Sequence, residues 1–123
     1  MPIYTCTTTI TLSDEIKANL AAAIIETHCS ITGTPTSFAH VVFHELPKTN
    51  VFTDFRPSNY LLIEGLNRAG RADTIKKRLV KTISEKSSQI TGIPEERIFV
   101  ANWETRTVFE GGRFLPEPGM EDE

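Results

Sequence analysis

Two segments of the chain are copies of one unit, and this duplication limits the folds that the chain can adopt. Residues 13–35, SDEIKANLAAAIIETHCSITGTP, align without gaps with residues 72–94, ADTIKKRLVKTISEKSSQITGIP. Ten of the 23 aligned positions are identical, and the offset between the copies is 59 residues throughout. An internal repeat of this kind indicates one supersecondary unit present twice, so both copies should form the same elements in the same order.

Each copy has the pattern of a strand, a helix and a second strand. In the first copy Ile16, Leu20 and Ile24 recur at helical spacing, and Gly33 with Pro35 ends the helix. Both flanks of each helix are rich in β-branched and aromatic residues, which predicts strands within residues 2–12, 38–45, 60–66 and 97–104.

We therefore predict an α+β fold made of two tandem β-α-β units, spanning about 2–45 and 60–104, within a single domain over 1–123. The four strands would form a mixed sheet with both helices on one face. The other face would be apolar and uncovered, which predicts oligomerisation. The tail 105–123 would add a hairpin or a clamp between subunits.

The composition excludes several classes of function. Four of the acidic residues lie within 117–123, and without them the net charge of −3 becomes +1, so the chain lacks the basic stripe of a duplex-binding protein. There is no membrane-length apolar run and no secretory signal, so neither nucleic acid nor membrane is an expected partner, and the expected location is cytoplasmic. Cys6 and Cys29 have no metal-type spacing, and His40 and His44 lack a third ligand, so no metal site or cofactor is predicted.

Positions that differ chemically between the copies are candidates for specialised roles. The aligned pairs of interest are Pro2 with Leu61, His28 with Ser87, Arg68 with Thr9, and Arg71 with Leu12.

Each of these candidates has a structural alternative. Pro2 either starts a strand or, once Met1 is removed, supplies a secondary amine that no internal proline can supply. Arg68 and Arg71 lie between a strand end and a helix start, where they would suit a carboxylate, or they are two solvated arginines. His28 near the end of the first helix is a site residue or a histidine stabilised by the helix dipole.

Taken together, the Met-Pro start, the duplicated β-α-β unit and the paired arginines resemble the tautomerase superfamily. The strings PIYTC, AIIETHCSITGT, GLNRAGR and FEGGRFLPEPG resemble more specifically the cis-3-chloroacrylic acid dehalogenase group, which is related to 4-oxalocrotonate tautomerase. The resemblance covers nearly the whole chain. It implies the tautomerase/MIF-like fold and a homotrimer.

The resemblance also implies roles for individual residues. The Pro2 amine would act as general base or acid, Arg68 and Arg71 would hold a substrate carboxylate, His28 would assist substrate binding, and Glu110 would orient or activate water. The implied activity is enol-keto tautomerisation, or hydration, of a small 2-oxo or unsaturated carboxylic acid. The alternatives are a hydrolytic dehalogenase of the cis-3-chloroacrylate type with weakened water activation and a non-catalytic trimeric binding module.

One position departs from the pattern of the group. Ala101 stands where the dehalogenases carry a tyrosine that helps glutamate to activate water, and Trp103 or Tyr4 is a candidate for partial substitution. Within the loop 46–59, Phe52, Phe55 and Arg56 are candidates for lining the pocket.

Overall fold

The computed structural model describes residues 1–116, so the acidic tail at 117–123 lies outside the described residues. Its two helices are 19 residues long, and its main sheet has four strands. These elements are α1 (Asp14–Thr32), α2 (Asp73–Thr91), β1 (Ile3–Thr8), β2 (His40–Glu45), β5 (Leu61–Arg68) and β6 (Ile98–Thr105). Two small hairpins pair β3 (Phe52–Thr53) with β4 (Arg56–Pro57), and β7 (Phe109–Glu110) with β8 (Arg113–Phe114).

The main sheet has the strand order β2-β1-β5-β6. Within each repeat the two strands run parallel, whereas β1 and β5 meet antiparallel at the centre of the sheet. The helices α1 and α2 pack against each other on one face of the sheet. The predicted α+β fold of two tandem β-α-β units with a four-stranded mixed sheet is therefore confirmed.

Both helices end in the way that the repeated sequence predicts. Gly33 and Gly92 adopt left-handed φ values of 77° and 76°, and their N–H groups donate to the carbonyls of Cys29 and Ser88 at 2.8 and 2.9 Å. Glycine is favoured at this position because it lacks the Cβ that makes a positive φ costly. The start of the helix differs, because Ser13 accepts a hydrogen bond from the N–H of Ile16 whereas the second copy has no side-chain cap.

The repeat also places an equivalent ion pair between each helix and the strand that follows it. Lys17 of α1 pairs with Glu45 at 3.0 Å, and the aligned Lys76 of α2 pairs with Glu104 at 2.7 Å. Both pairs lie at the surface, where an ion pair contributes little to stability. Their equivalence shows that the two units share side-chain contacts as well as backbone course.

The core lies between the sheet and the two helices. Alternate residues of β1 and β5 point into it and meet the apolar stripe of each helix. Its buried members are Tyr4, Cys6, Leu20, Ile24, Leu61, Ile63, Ile83 and Ile93. Both cysteines are free thiols, with Cys6 buried and Cys29 partly buried, as packing residues would be. Within residues 1–116 no helix has the length and apolar character needed to cross a bilayer.

The opposite face of the sheet carries exposed apolar side chains. Ile3, Leu66 and Trp103 stand side by side in register across β1, β5 and β6. They are 37%, 39% and 55% exposed, and Val42 and Phe99 extend the same face. The uncovered apolar face that the sequence predicts is therefore present.

The loop 46–59 projects its hydrophobic residues outward. Asp54 and Phe55 form the two-residue turn between β3 and β4, both with positive φ, and the side chain of Phe55 is fully exposed. Phe52 and Arg56 are also exposed, and none of these three candidates lines the cavity described below. Within the single chain these candidates do not line the cavity, because the short hairpin carries them to the surface.

Gly65 in the central strand pair has no room for a side chain. It lies opposite Tyr4 in the β1–β5 register, and a Cβ at Gly65 would overlap the Tyr4 ring. Tyr4 is 2% exposed and bonded to His28, so the ring has little room to move. Gly65→Ala should lower the free energy of unfolding by about 1–3 kcal/mol, the usual cost of overpacking, as measured by urea denaturation.

The control for this prediction is the same change in a Tyr4→Leu background, which lacks the ring. There Gly65→Ala should cost clearly less, so that the two substitutions are non-additive. An equal cost in both backgrounds would show that the Tyr4 ring is not what excludes a side chain from position 65.

Candidate active site

The start of the chain is buried beneath the C-terminal hairpin. Met1 is 7% exposed, and its terminal ammonium donates to, and forms an ion pair with, the carboxylate of Glu110 in β7. Pro2 is fully buried, and its carbonyl accepts a hydrogen bond from the N–H of His40 at 3.0 Å. The nitrogen of Pro2 is one residue further along, within about 4 Å of that ammonium by covalent geometry.

A cavity of about 470 Å³ opens beside this terminus. Its walls come from the turn after α1, the end of β5, the C-terminal hairpin and the terminus itself. They combine apolar side chains with three arginines and two threonines. The lining residues are Met1, Thr32, Gly33, Thr34, Pro35, Phe38, Arg68, Arg71, Arg113, Leu115 and Pro116.

The cavity brings together the two arginines that the sequence singles out. Arg68 ends β5 and donates to the carbonyl of Pro116, and Arg71 donates to the hydroxyl of Thr34 at 3.5 Å. Gly70, between them, has a φ of 113°, which turns the chain from the strand into α2. Their guanidinium groups therefore lie at the strand-to-helix turn where the sequence predicts a carboxylate site.

Arg113 is a third arginine in this cavity that the sequence reasoning missed. It lies opposite Glu110 in the register of the β7–β8 hairpin. Gly111 and Gly112 form the two-residue turn with φ values of 64° and 79°, the geometry that Gly-Gly favours in tight hairpins. The Gly-Gly pair in the sequence could have indicated Arg113, because a hairpin with a two-residue turn at 111–112 places residue 113 opposite residue 110.

His28 lies in α1, is fully buried and does not line the cavity. Its Nδ1 lies 2.9 Å from the hydroxyl of Tyr4, and the two rings meet edge to face. Burial lowers the pKa of His28 to about 3, and the charges of Arg71, the terminal ammonium and Arg68 act in the same direction. The imidazole is therefore neutral at physiological pH.

A chain of hydrogen bonds sets which nitrogen of this neutral ring carries the proton. Burial raises the pKa of Tyr4 to about 12, and a hydrogen bond from Asn67 opposes this effect. Asn67 also donates to the side-chain oxygen of Asn102. Since the Tyr4 oxygen accepts from Asn67, its hydroxyl proton can be donated to Nδ1 of His28, which leaves the proton of the ring on Nε2. That Nε2 is buried and has no hydrogen-bond partner among residues 1–116.

Glu110 is held as a carboxylate by donors outside its own hairpin. The hydrogen bond from the terminal ammonium lowers the pKa of Glu110 most; a hydrogen bond from His40 adds to this, whereas burial acts in the opposite direction. The His40 Nε2 lies 2.6 Å from Oε2 of Glu110. In the part of the chain that the structure describes, no three His, Cys, Asp or Glu side chains are grouped so that they could hold a metal ion.

The departure at Ala101 lies away from the cavity. Ala101 pairs with Glu64 between the exposed Phe99 and Trp103 of β6, so it faces the uncovered side of the sheet. The indole nitrogen of Trp103 donates to Glu64 at 2.9 Å, and the hydroxyl of Tyr4 is bonded to His28. Neither side chain lines the cavity of the single chain, so a substitution for the missing tyrosine by Trp103 or Tyr4 stays an untested prediction.

The chain matches a known protein family over its whole length. The family model described as "Putative oxalocrotonate tautomerase enzyme" matches residues 1–123. No curated protein matches the chain.

Solved structures agree with the family model. Native Ps01740 is 31% identical over 84% of this chain and 93% of its own, with a TM-score of 0.81. N1, a member of the cis-3-chloroacrylic acid dehalogenase family, is 25% identical over 98% of this chain and 87% of its own, with a TM-score of 0.91. MIF2 of Leishmania major, at 23% identity over 94% of this chain and 97% of its own, shares the fold with a TM-score of 0.80. The chain therefore belongs to the tautomerase superfamily, in the cis-3-chloroacrylic acid dehalogenase-like group that its sequence resembles.

Proposed function

We propose that the chain is a tautomerase-type enzyme that uses the amine of Pro2, after loss of Met1, on a small 2-oxo or unsaturated carboxylic acid. The observation that supports this most is that the chain terminus and three arginines meet at one cavity, with Glu110 bonded to that terminus. In the peptide-bonded form the proline nitrogen has no lone pair available as a base. Removal of Met1 would create a secondary amine and clear the part of the cavity that Met1 lines.

The surroundings of this amine act on its charge in opposite directions. Burial at position 2 and the nearby Arg68 and Arg71 disfavour the ammonium form, whereas the carboxylate of Glu110 favours it. The balance between them decides whether the amine acts as a base or as an acid at a given pH.

In tautomerisation the neutral amine of Pro2 takes the hydroxyl proton of the enol. It then delivers that proton to the carbon that becomes saturated, so that the amine is regenerated. Arg68, Arg71 and Arg113 bind the carboxylate and stabilise the negative charge that spreads over the dienolate. His28 does not line the cavity while Met1 is present, and we propose that its neutral Nε2–H, which has no partner among residues 1–116, becomes a donor to a substrate oxygen once Met1 is lost.

Hydration is the second reaction that this site supports, and the observation that favours it is the ionised Glu110 beside the terminus. Here the protonated amine acts as the acid and Glu110 takes a proton from water. The same step on a 3-chloroacrylate would release halide, and we expect that release to be weak because Ala101 supplies no hydroxyl. A non-catalytic binding module has no specific feature of the cavity in its favour.

We further propose that the chain forms a homotrimer in the cytoplasm. The exposed row of Ile3, Leu66 and Trp103 is an apolar surface of the kind that a second copy would cover. One structure with the same fold is described as a fused 4-OT wild type asymmetric trimer. The mass of the protein in solution tests this assembly.

The amine mechanism predicts how activity depends on the chain terminus. The purified protein should be lighter than its full sequence by one methionine and should convert phenylenolpyruvate to its keto form. Pro2→Ala should lower kcat by about 100-fold and shift its pH profile, since a positioned base contributes about 10²–10⁴-fold and alanine supplies a primary amine. Acetylation of the terminus should abolish turnover, and full activity in protein that retains Met1 would disprove the mechanism.

Carboxylate binding by the arginines predicts a loss of kcat/KM. Arg71→Gln should lower kcat/KM by about 10- to 100-fold, because a hydrogen bond to a charged group is worth about 1.5–3 kcal/mol. The matched control is Arg78→Gln, an exposed arginine of α2 outside the cavity, which should leave kcat/KM unchanged. Equal effects of the two substitutions would argue against Arg71 as a substrate ligand.

The buried neutral His28 predicts a loss of stability in acid. Its pKa is 6.5 in the unfolded chain and about 3 in the fold, so between these values only the unfolded chain binds the proton. As pH falls below 6.5, the free energy of unfolding should decrease by up to about 1.4 kcal/mol per pH unit, whereas above 6.5 this contribution is constant.

Urea denaturation from about pH 7 down to about pH 4 measures this slope. His28→Gln should make it shallower than in the wild type, whereas His44→Gln, at an exposed position of β2, should leave it unchanged. A His28→Gln slope as steep as the wild-type slope would mean that other groups cause the loss.

A further inference from the structure

The carboxylate of Glu110 is held from two sides by residues that are distant in sequence. Oε1 accepts from the terminal ammonium of Met1, and Oε2 lies 2.6 Å from Nε2 of His40. His40 begins β2 and stands beside Ile3 of β1 in the parallel register. Met1, just before β1, and His40, at the start of β2, therefore supply the two contacts, while the hairpin supplies the carboxylate.

From this geometry we propose that His40 is a positioning residue for Glu110, holding one carboxylate oxygen so that the other faces the terminal amine. This role rests on the proposed function and concerns its hydration reaction, in which Glu110 takes a proton from water. Neither His40 nor Glu110 lines the cavity while Met1 is present, but Glu110 contacts the terminal amine of Met1, which does, so His40 acts through Glu110.

The position of Glu110 depends on such a contact. Its strand β7 has only two residues, and within residues 1–116 its ladder partner is the equally short β8. The described hydrogen bonds of its carboxylate go to the Met1 ammonium and to His40. Loss of Met1 removes the first of these, and the contact to His40 then restrains a side chain that would otherwise sample several rotamers.

The charges around Glu110 favour its ionised form. The terminal amine faces it from the start of β1, His40 faces it from β2, and Arg113 lies opposite it in β8. Glu110 is 23% exposed, so these interactions are only partly screened by water. A hydrogen bond donated by Nε2 of His40 favours the carboxylate over the carboxylic acid, in agreement with the lowered pKa of Glu110.

In the hydration step, Oε1 of Glu110 takes one proton from water as the water oxygen bonds to the β-carbon of the unsaturated acid. The electron pair of the carbon–carbon π bond then takes the proton of the Pro2 ammonium at the α-carbon. The products are the hydrated acid, the neutral amine and protonated Glu110, with no change of oxidation state overall. Transfer of the proton from Glu110 back to the amine, through water, restores the site.

His44 provides a matched control for a test of this role. It is a second histidine on the same face of β2, is exposed, and has no described contact with Glu110. Three variants, His40→Ala, His40→Gln and His44→Ala, are compared with the wild type in hydration of propynoate followed by proton NMR.

We expect His40→Ala to lower kcat for hydration by about 10-fold, a part of the 10²–10⁴-fold that a positioned base contributes. The acid limb of its pH profile should also move to higher pH, because Glu110 loses a hydrogen bond that favours the carboxylate. His40→Gln retains a donor and should restore part of both properties, and His44→Ala should match the wild type. A lower rate with an unmoved acid limb would mean that His40 only tethers the hairpin, and would overturn the proposal.

A measurement that needs no turnover separates this inference from the proposed function. The carboxyl carbon of Glu110 can be titrated by NMR in protein labelled at glutamate, with Glu110→Gln used to assign the signal. Its midpoint should rise in His40→Ala and stay unchanged in His44→Ala, and an unchanged midpoint in His40→Ala overturns the role of His40. If the midpoint rises while the wild type neither tautomerises phenylenolpyruvate nor hydrates propynoate, the proposed function fails and the contact between His40 and Glu110 stands.

Discussion

The antiparallel pairing of β1 with β5 determines where everything else in the molecule can lie. Ile3 stands opposite Leu66 and the strands run in opposite directions, so continuing the register places Pro2 opposite Asn67 and Met1 opposite Arg68. The start of the first repeat is thereby brought to the end of the first strand in the second repeat. Strand pairing alone therefore brings the chain terminus and an arginine together.

The two repeats use equivalent backbone positions for different purposes. The repeat aligns Met1 and Pro2 with Tyr60 and Leu61, at the opposite end of the β1–β5 pair. Tyr60 and Leu61 lie in the middle of the chain, so this end of the pair has no terminal amine. There Thr8 and Thr9 donate to the carbonyls of Tyr60 and Ser58 at 2.8 and 3.0 Å. These hydrogen bonds occupy backbone carbonyls at the position that corresponds, in the other half of the fold, to the cavity. Duplication of the β-α-β unit therefore did not duplicate the candidate site.

Much of the fold could be predicted from the sequence because the repeat imposes the same periodicity and the same helix ends on both copies. The four main strands, the two helices and the left-handed Gly33 and Gly92 follow from local signals. Arg68 and Arg71 were found because they depart from the repeat beside a turn.

Other parts of the candidate site depend on contacts that no local pattern records. Arg113 enters the cavity through a hairpin of two-residue strands, too short to show an alternating pattern. The pairing of His40 with Glu110 joins residues 70 positions apart, and the sequence offered His40 only as a weak candidate for a metal ligand. His28 is buried and does not line the cavity, and the Tyr4 ring to which it is bonded lies over Gly65, which is 61 positions away from Tyr4 in the chain.

The burial of Met1 sets an order for events during synthesis. The residue is 7% exposed in the finished fold, and the carboxylate that covers its ammonium lies 109 positions later in the chain. The removal of Met1 that the proposed function requires would therefore come before the hairpin closes over the terminus. Once the hairpin has closed, a peptidase would meet a buried methionine whose ammonium is already paired with Glu110.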